Sequence, residues 1–543
     1  MLEWALRKSI ALFKRQFANV LFAVLALALL AWVSWEAGYV RMVTADGHAD
    51  YWEHSATLHA LIENPWHPRH PHLATDAGSP RFGPQFIFVA LIARAMHWNA
   101  IQAMTLAAVL NTLLFVCGIQ AFFRSYFRHP FAPLYGLLVM FGGWWSGFYF
   151  SNVYALHVFF FVASFPSTTT LGLSLLGFAL AVRILRGEVR HPRLSLFVLG
   201  TWAGAVLIIH PLTAMLSLSG VMILALAERR PPWRVRFQVA AAVIIGCALA
   251  HFWPYFSPWV VLRGGHGEAA GWAEQTVQQA GELQVKKRLH DFYRPIPLLR
   301  SLGLGTLTLL ALPYFLWRRP RWFVGLGVLC MLVPFVGNMF VELPLGHRFV
   351  LLAIVYMHIG VVWLLLKFTP GYRFAFRFLK NRWLAVLSAL LVAATLLVFC
   401  RQSLRLARKT VESRRYKVGR ESWVIESSRE IANAAGPGAV ILATPVVSWP
   451  LPTFGPKVLV LFHQDPLVPD AEERQYWVRR FLTGLASDEE RRTTLRRYGV
   501  THVLLLRENG PVLDFLDKNS IVTRIGSGYR LYKLNPGASH PPP

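Results

Sequence analysis

The sequence predicts a polytopic α-helical membrane protein, with about eleven transmembrane helices and a small extracytoplasmic α/β domain at the C-terminus. Three observations predict it. Of 543 residues, 55% are hydrophobic and only 15% charged, far from soluble globular usage. Apolar runs of the ~20 residues needed to cross a bilayer recur from residue 18 to residue 400. After Arg401 the pattern changes to short apolar runs set between charged stretches.

The elements follow in order. Arg7, Lys8, Lys14 and Arg15 precede the first apolar run, 18–40, and no small-residue cleavage site follows it. That run reads as a retained signal anchor. Further spans are expected near 101–123, 131–150, 167–186, 195–210, 212–228, 237–256, 299–317, 322–341, 349–367 and 383–400. Residues 84–98 are apolar but short and carry Arg94 and His97, so they are placed at the outer interface. With that choice the expected inside loops hold 22 Lys and Arg, against 11 in the longer outside segments before residue 401. Cytoplasmic loops are the basic ones, so the N-terminus is expected inside, the C-terminus outside, and the chain in the cell (inner) membrane.

This orientation accounts for much of the +27 net charge. No nucleic-acid module is present and no nucleic-acid partner is expected. The four cysteines, at 117, 247, 330 and 400, all fall in apolar runs, which leaves no disulfide framework.

Residues 1–400 are expected to form the membrane domain, with its first outer loop at 41–100, and residues 401–543 the outer domain. There "GAVILATP", "KVLVLF", "THVLLLR" and "YRLYKL" read as strands. "DAEERQYWVRRFLTG" and "SDEERRTTLRRYG" read as amphipathic helices with acidic first turns.

Ionisable groups at membrane depth are costly and therefore informative. The first outer loop holds Asp46, Asp50, Glu53 and Asp76, with His48, His54, His59, His67, His70 and His72. Further outer-end candidates are Asn152, Tyr154 and His157; His210 in "HPLT"; His251 in "HFWPYF"; Lys286, Lys287 and Arg294; and Glu342, His347 and Arg348. His210 and His251 read equally well as interfacial residues at helix ends. "HPRHPH" reads as a Pro-stiffened loop more readily than as a zinc site. Glu53, almost one turn on from Asp50, either faces the same way or reads as a first-turn, helix-stabilising acid. Asp46 and Asp50, two acids within a five-residue stretch just past a membrane exit, are the pair that packing explains least.

The segment "D-x-x-x-D-Y-W-x-H" after the first span, the helix "SATLHALIENPWHP", the Pro-bounded interfacial helix, the outer-face arginine before "FVLLAIVYMHIGVVW" and the terminal α/β domain together resemble the C-type (GT-C) integral-membrane glycosyltransferases. The resemblance covers the whole architecture. It implies transfer of a sugar from a polyprenyl-phosphate donor to a glycan, lipid or protein acceptor at the outer face, with membrane lipids as neighbours. It also implies a carboxylate of the first outer loop as base or metal ligand, which is Asp50 or Asp46 here, and Arg348 facing the donor phosphate. The tandem "DE" of some members is replaced by Asp50-Tyr51, which leaves Asp46 and Asp50 as alternatives.

The chemistry is consistent with that implication. Breaking a sugar–phosphate bond leaves charge that Arg348, Lys286, Lys287 or Arg294 would stabilise. A carboxylate would take the proton of the acceptor hydroxyl in an inverting displacement. A divalent cation, Mg or Mn, held by Asp46 and Asp50 would share the phosphate charge. His54, Asp76, His210, His251 and Glu342 complete the candidate set. Two other classes compete. An envelope polysaccharide polymerase or ligase using a lipid-diphosphate donor would concentrate basic residues in a late outer loop. A lipid or solute transporter would show broken helices or ionisable residues near the bilayer midplane, often in repeated halves; the expected span centres read as largely apolar and no internal repeat is found.

Overall fold

The computed structural model describes residues 2–38, 49–145, 152–263, 293–341, 343, 345–369, 381–463, 465–506, 510–525 and 528–535. Contacts divide the chain into two units. The first comprises Met1–Tyr39, Ala107–His251 and Leu289–Ser413; the second comprises Val40–Leu106, Phe252–Arg288 and Arg414–Pro543.

The first unit is helical. Among the described residues the chain has seven helices long and apolar enough to cross a membrane, and four shorter apolar ones at Pro84–Ala95, Ala132–Gly142, Pro211–Ala227 and Trp322–Gly337. Several helices open on proline (Pro166, Pro192, Pro211), where the missing N–H has no intrahelical partner to lose. Phe349–Lys367 is the central helix, buried along nearly its whole length. Around it Phe122, Tyr126, Phe178 and Phe323 pack edge-to-face or stacked. The helices Pro192–Ile209 and Trp233–Leu249 touch backbone to backbone at Gly200 and Gly246, a contact that any Cβ would block.

Three predicted segments differ in form. The run 131–150 is helical only over Ala132–Gly142 among its described residues. The run 299–317 is divided into Pro295–Leu302, Gly305–Leu310 and Leu312–Leu316. Gly303 breaks it with φ 55°, and Pro313 lacks the N–H that a continuous helix would use. The run 383–400 and the basic stretch after it are one helix, Arg382–Ala435.

The second unit contains a five-stranded sheet in the order β2-β1-β3-β5-β4: β1 (Val440–Leu442), β2 (Lys457–Val458), β3 (His502–Leu506), β4 (Ser520–Ile525) and β5 (Tyr529–Leu534). β1 runs parallel to β2 and β3, while β5 is antiparallel to β3 and β4. The helices Ala471–Thr483 and Asp488–Arg497 cover it with Val478, Phe481 and Leu495. The second of these starts on a capping box, Ser487 with Glu490, which satisfies two otherwise orphaned donors. β4 has no counterpart in the sequence expectation.

The segment 49–106 belongs to this same unit. Its helix Ala49–Glu63 packs on the turn Leu451–Phe454, with Ser55 Oγ 2.7 Å from Thr453 Oγ1 and Trp52 beside Phe454. Arg94, in the short helix Pro84–Ala95, donates to the carbonyls of Ile62 and Glu63 and so caps the loop helix's C-terminus. Leu73 bridges in parallel to Val458, and Val458 N–H donates to His72 O. The loop thereby covers the open edge of β2.

Candidate active site

The helix Ala49–Glu63 sets the geometry. Asp50 stands in its first turn, where the helix dipole favours a negative charge. Glu53 lies three residues on, so both carboxylates share one face. Asp50 is half-buried, and Glu53 is 5% exposed. His463, from the loop after β2, brings Nε2 to 3.4 Å from Asp50 Oδ1. Ligand atoms of Asp50, Glu53 and His463 lie within 4.8 Å of one another, the one such group among the described residues. Two carboxylates and an imidazole form a donor set suited to a divalent cation of the Zn, Mn or Mg kind.

A buried ion cluster stands behind this face. Arg81 pairs with Glu53, and its Nη1 lies 3.2 Å from Asp465 Oδ2. Asp465 is 2% exposed and also accepts from Ser79 Oγ at 3.2 Å and from Leu467 N–H at 2.9 Å. His70 Nδ1 accepts the N–H groups of His72 and Leu73. The other nitrogen, Nε2, therefore carries the proton and faces Asp465 at 3.4 Å. Burial pushes the Asp465 carboxyl up. His70, Arg81 and the Leu467 amide pull it down further, and the net direction is below the usual carboxylate value.

His54 is one residue from the acidic face. Burial pushes it down to about 4, against a smaller upward pull from Asp50, so it is neutral at pH 7 and rests against Phe86.

The other expected residues are placed as follows. Asp46, Lys286, Lys287 and Glu342 lie outside the described residues. Asp76 is exposed in the second unit and lines a separate cavity. His210, Arg294 and Arg348 belong to the first unit. His210 caps the helix Pro211–Ala227: its Nδ1 accepts from Thr213 N–H, and Thr213 Oγ1 is 2.9 Å away. His251 is exposed on a short 3-10 turn. Arg294 is exposed just before the helix at 295. Arg348 ends a 3-10 turn and opens the central helix.

The "HPRHPH" histidines form no group of three potential metal ligands among the described residues. His70 is engaged as described, and His72 stacks on Trp449 with centroids 4.9 Å apart. The sequence reading ranked Glu53 last among the three acids, and missed His463, Arg81 and Asp465 as site residues. The signal for Glu53 was its i, i+3 spacing from Asp50. The "HQD" at 463–465 carries no signal until the fold brings it to the loop.

No family model matches the sequence, and no curated protein matches it. Solved structures do. The crystal structure of ArnT from Cupriavidus metallidurans in the apo state aligns with a TM-score of 0.55 at 12% identity, over 96% of this chain and 99% of that one. The same protein bound to undecaprenyl phosphate aligns with a TM-score of 0.55 at 13% identity, with the same coverage. The arabinofuranosyltransferase AftD from Mycobacteria aligns with a TM-score of 0.50 at 14% identity, over 93% of this chain and 41% of that one.

Proposed function

This chain has the fold of the GT-C membrane glycosyltransferases, and we propose that it moves a sugar from a polyprenyl-phosphate-linked donor to an acceptor hydroxyl at the outer face of the membrane. The observation that carries the reading is the acidic face of Asp50 and Glu53 completed by His463. The undecaprenyl phosphate bound to ArnT supports the donor class.

Asp50 is the base. It is half-buried and reachable, whereas Glu53 is committed through one oxygen to Arg81. The acceptor hydroxyl gives its proton to Asp50 as its oxygen bonds to the anomeric carbon. The bond from that carbon to the phosphate oxygen breaks on the opposite side, with inversion, and the polyprenyl phosphate leaves with the electron pair. Asp50, the second oxygen of Glu53, and His463 would hold a divalent cation, which supplies charge stabilisation to a phosphate. Arg348, with Arg294, Lys286 and Lys287, is assigned to the donor phosphate on chemistry alone: a guanidinium opening a span suits a phosphate at headgroup depth.

The test is transfer by purified protein, with donor binding measured separately. Asp50→Asn keeps shape and removes the base, so transfer falls by ~10²–10⁴-fold while donor binding is retained. Glu53→Gln breaks the pair with Arg81 and removes one ligand, and transfer falls at least ~10-fold. Wild-type transfer in both variants would remove this site from the reaction.

A further inference from the structure

A cavity lies in the second unit, at the far end of the loop helix. It measures about 500 Å³ and is lined by Glu63, Asn64, Arg69, Thr75, Asp76 and Lys457, among others. Glu63 is thirteen residues from Asp50, about 20 Å along a helix rising 1.5 Å per residue. The cavity is therefore distinct from the acidic face.

Its lining points to a kind of ligand. Two carboxylates, Glu63 and Asp76, face two cations, Arg69 and Lys457. The wall as a whole is balanced, which favours neither a phosphate nor a metal ion. Glu63 is engaged with His59 at 3.2 Å, and Lys457 Nζ donates to the carbonyls of His70 and Pro71 at 3.0 Å. Asp76 and Arg69 make no hydrogen bond with any described residue, and the Arg69 charge acts on the Glu63 carboxyl. One is an acceptor only, the other a donor only, and Asn64 and Thr75 beside them offer both. A hydroxyl group both donates and accepts, so a ligand bearing several hydroxyls suits the acceptor, the donor and the mixed groups together.

Gly438 and Gly455 add room. Both line the cavity, both have positive φ, 76° and 117°, and Gly438 has nothing within 4 Å of where a Cβ would stand. A ring can therefore approach the backbone there.

We infer that this cavity binds a neutral saccharide, as a holding site for the glycan acceptor of the reaction proposed above. The inference rests on that reading for the acceptor role but not for the binding. An acceptor chain anchored here would raise the local concentration of its reactive end near the loop helix.

The experiment is saturation-transfer NMR on the detergent-solubilised full chain. The probes are glucose, mannose, galactose, rhamnose and arabinose at millimolar concentration, with inorganic phosphate and phosphoethanolamine as charged controls. At least one neutral sugar should receive saturation. Its affinity should fall about tenfold or more in Asp76→Ala and in Arg69→Ala, as expected for losing a hydrogen bond to a charged group, and recover in part in Asp76→Asn. Asp50→Asn should leave this binding unchanged. In transfer assays Asp76→Ala should raise the acceptor KM. Preference for either control over every sugar, or no sugar signal at all, overturns the inference. So does an active enzyme whose sugar binding and acceptor KM ignore Asp76→Ala and Arg69→Ala. Wild-type protein that binds sugar through these residues but transfers none supports the binding site and overturns the glycosyltransferase reading instead.

Discussion

Asp465→Asn tests whether the ion cluster behind the acidic face holds it in place. Asp465 is nearly inaccessible and accepts from Arg81, Ser79 and Leu467 while facing His70. Asparagine keeps one acceptor oxygen, enough for the Leu467 amide, and replaces the charged one with an N–H group turned towards other donors. Stripping a buried ion of its only partner costs ~3–5 kcal/mol. Arg81 keeps Glu53 as a second counter-ion, so the loss is set by the hydrogen bonds to a charged group, at ~1.5–3 kcal/mol. In a unit of this size each kcal/mol shifts Tm by ~2–4 °C, which gives a fall of roughly 3–12 °C. Tryptophan-fluorescence melts of wild type and variant, at one scan rate and at pH 7.5, measure it. The Asp465 carboxyl lies below its ordinary value. Its stabilisation is therefore full above the unfolded value of ~3.9 and disappears as pH falls through the folded one. The gap between wild type and variant should close below about pH 4. A shift under ~1 °C at pH 7.5, or a gap that persists in acid, would refute the claim that Asp465 anchors Arg81 as an ionised group.

Further outcomes follow from the same unit and from the first one. Burial holds His54, His70 and His72 below the ordinary histidine value. Their contribution is thus full above ~6.5 and lost as pH falls, so the melting temperature should drop between pH 7.5 and pH 5. His72→Phe keeps the stack on Trp449 and removes a buried nitrogen that has no partner among the described residues. It should match wild type at pH 7.5 and lose less than wild type at pH 5; equal acid sensitivity would exclude His72 from the effect. Arg348→Ala should raise the donor KM at least tenfold in the transfer assay, and Arg348→Lys should recover part of it, because charge remains without the bidentate fork. An unchanged donor KM would move the phosphate contact to another cation.

The membrane character of this protein was determined by sequence alone, because twenty consecutive apolar side chains have a physical meaning without any partner. So were the C-terminal helices at 471–483 and 488–497 and strands β1, β2, β3 and β5, whose periodicity and caps are local. The edge strand β4 escaped because its exposed Ile521 and Val522 alternate with nothing a buried face would require. The 299–317 run escaped because hydropathy reports burial in lipid and not helix continuity, which Gly303 and Pro313 decide. Asp50 was legible as a misplaced charge, but the role of Glu53 was not. A first-turn acid and a member of an acidic face look alike until one knows which side of the helix is covered. His463 and Asp465 stand about four hundred residues from Asp50 and Arg81, and nothing local ties them together. Only the docking of the segment 49–83 on the edge of β2, sealed by Lys457, Val458 and the turn at Thr453, brings the imidazole to the acids and the buried carboxylate to the arginine. That placement comes from long-range packing and hydrogen bonding between segments distant in the chain, which no window of sequence contains.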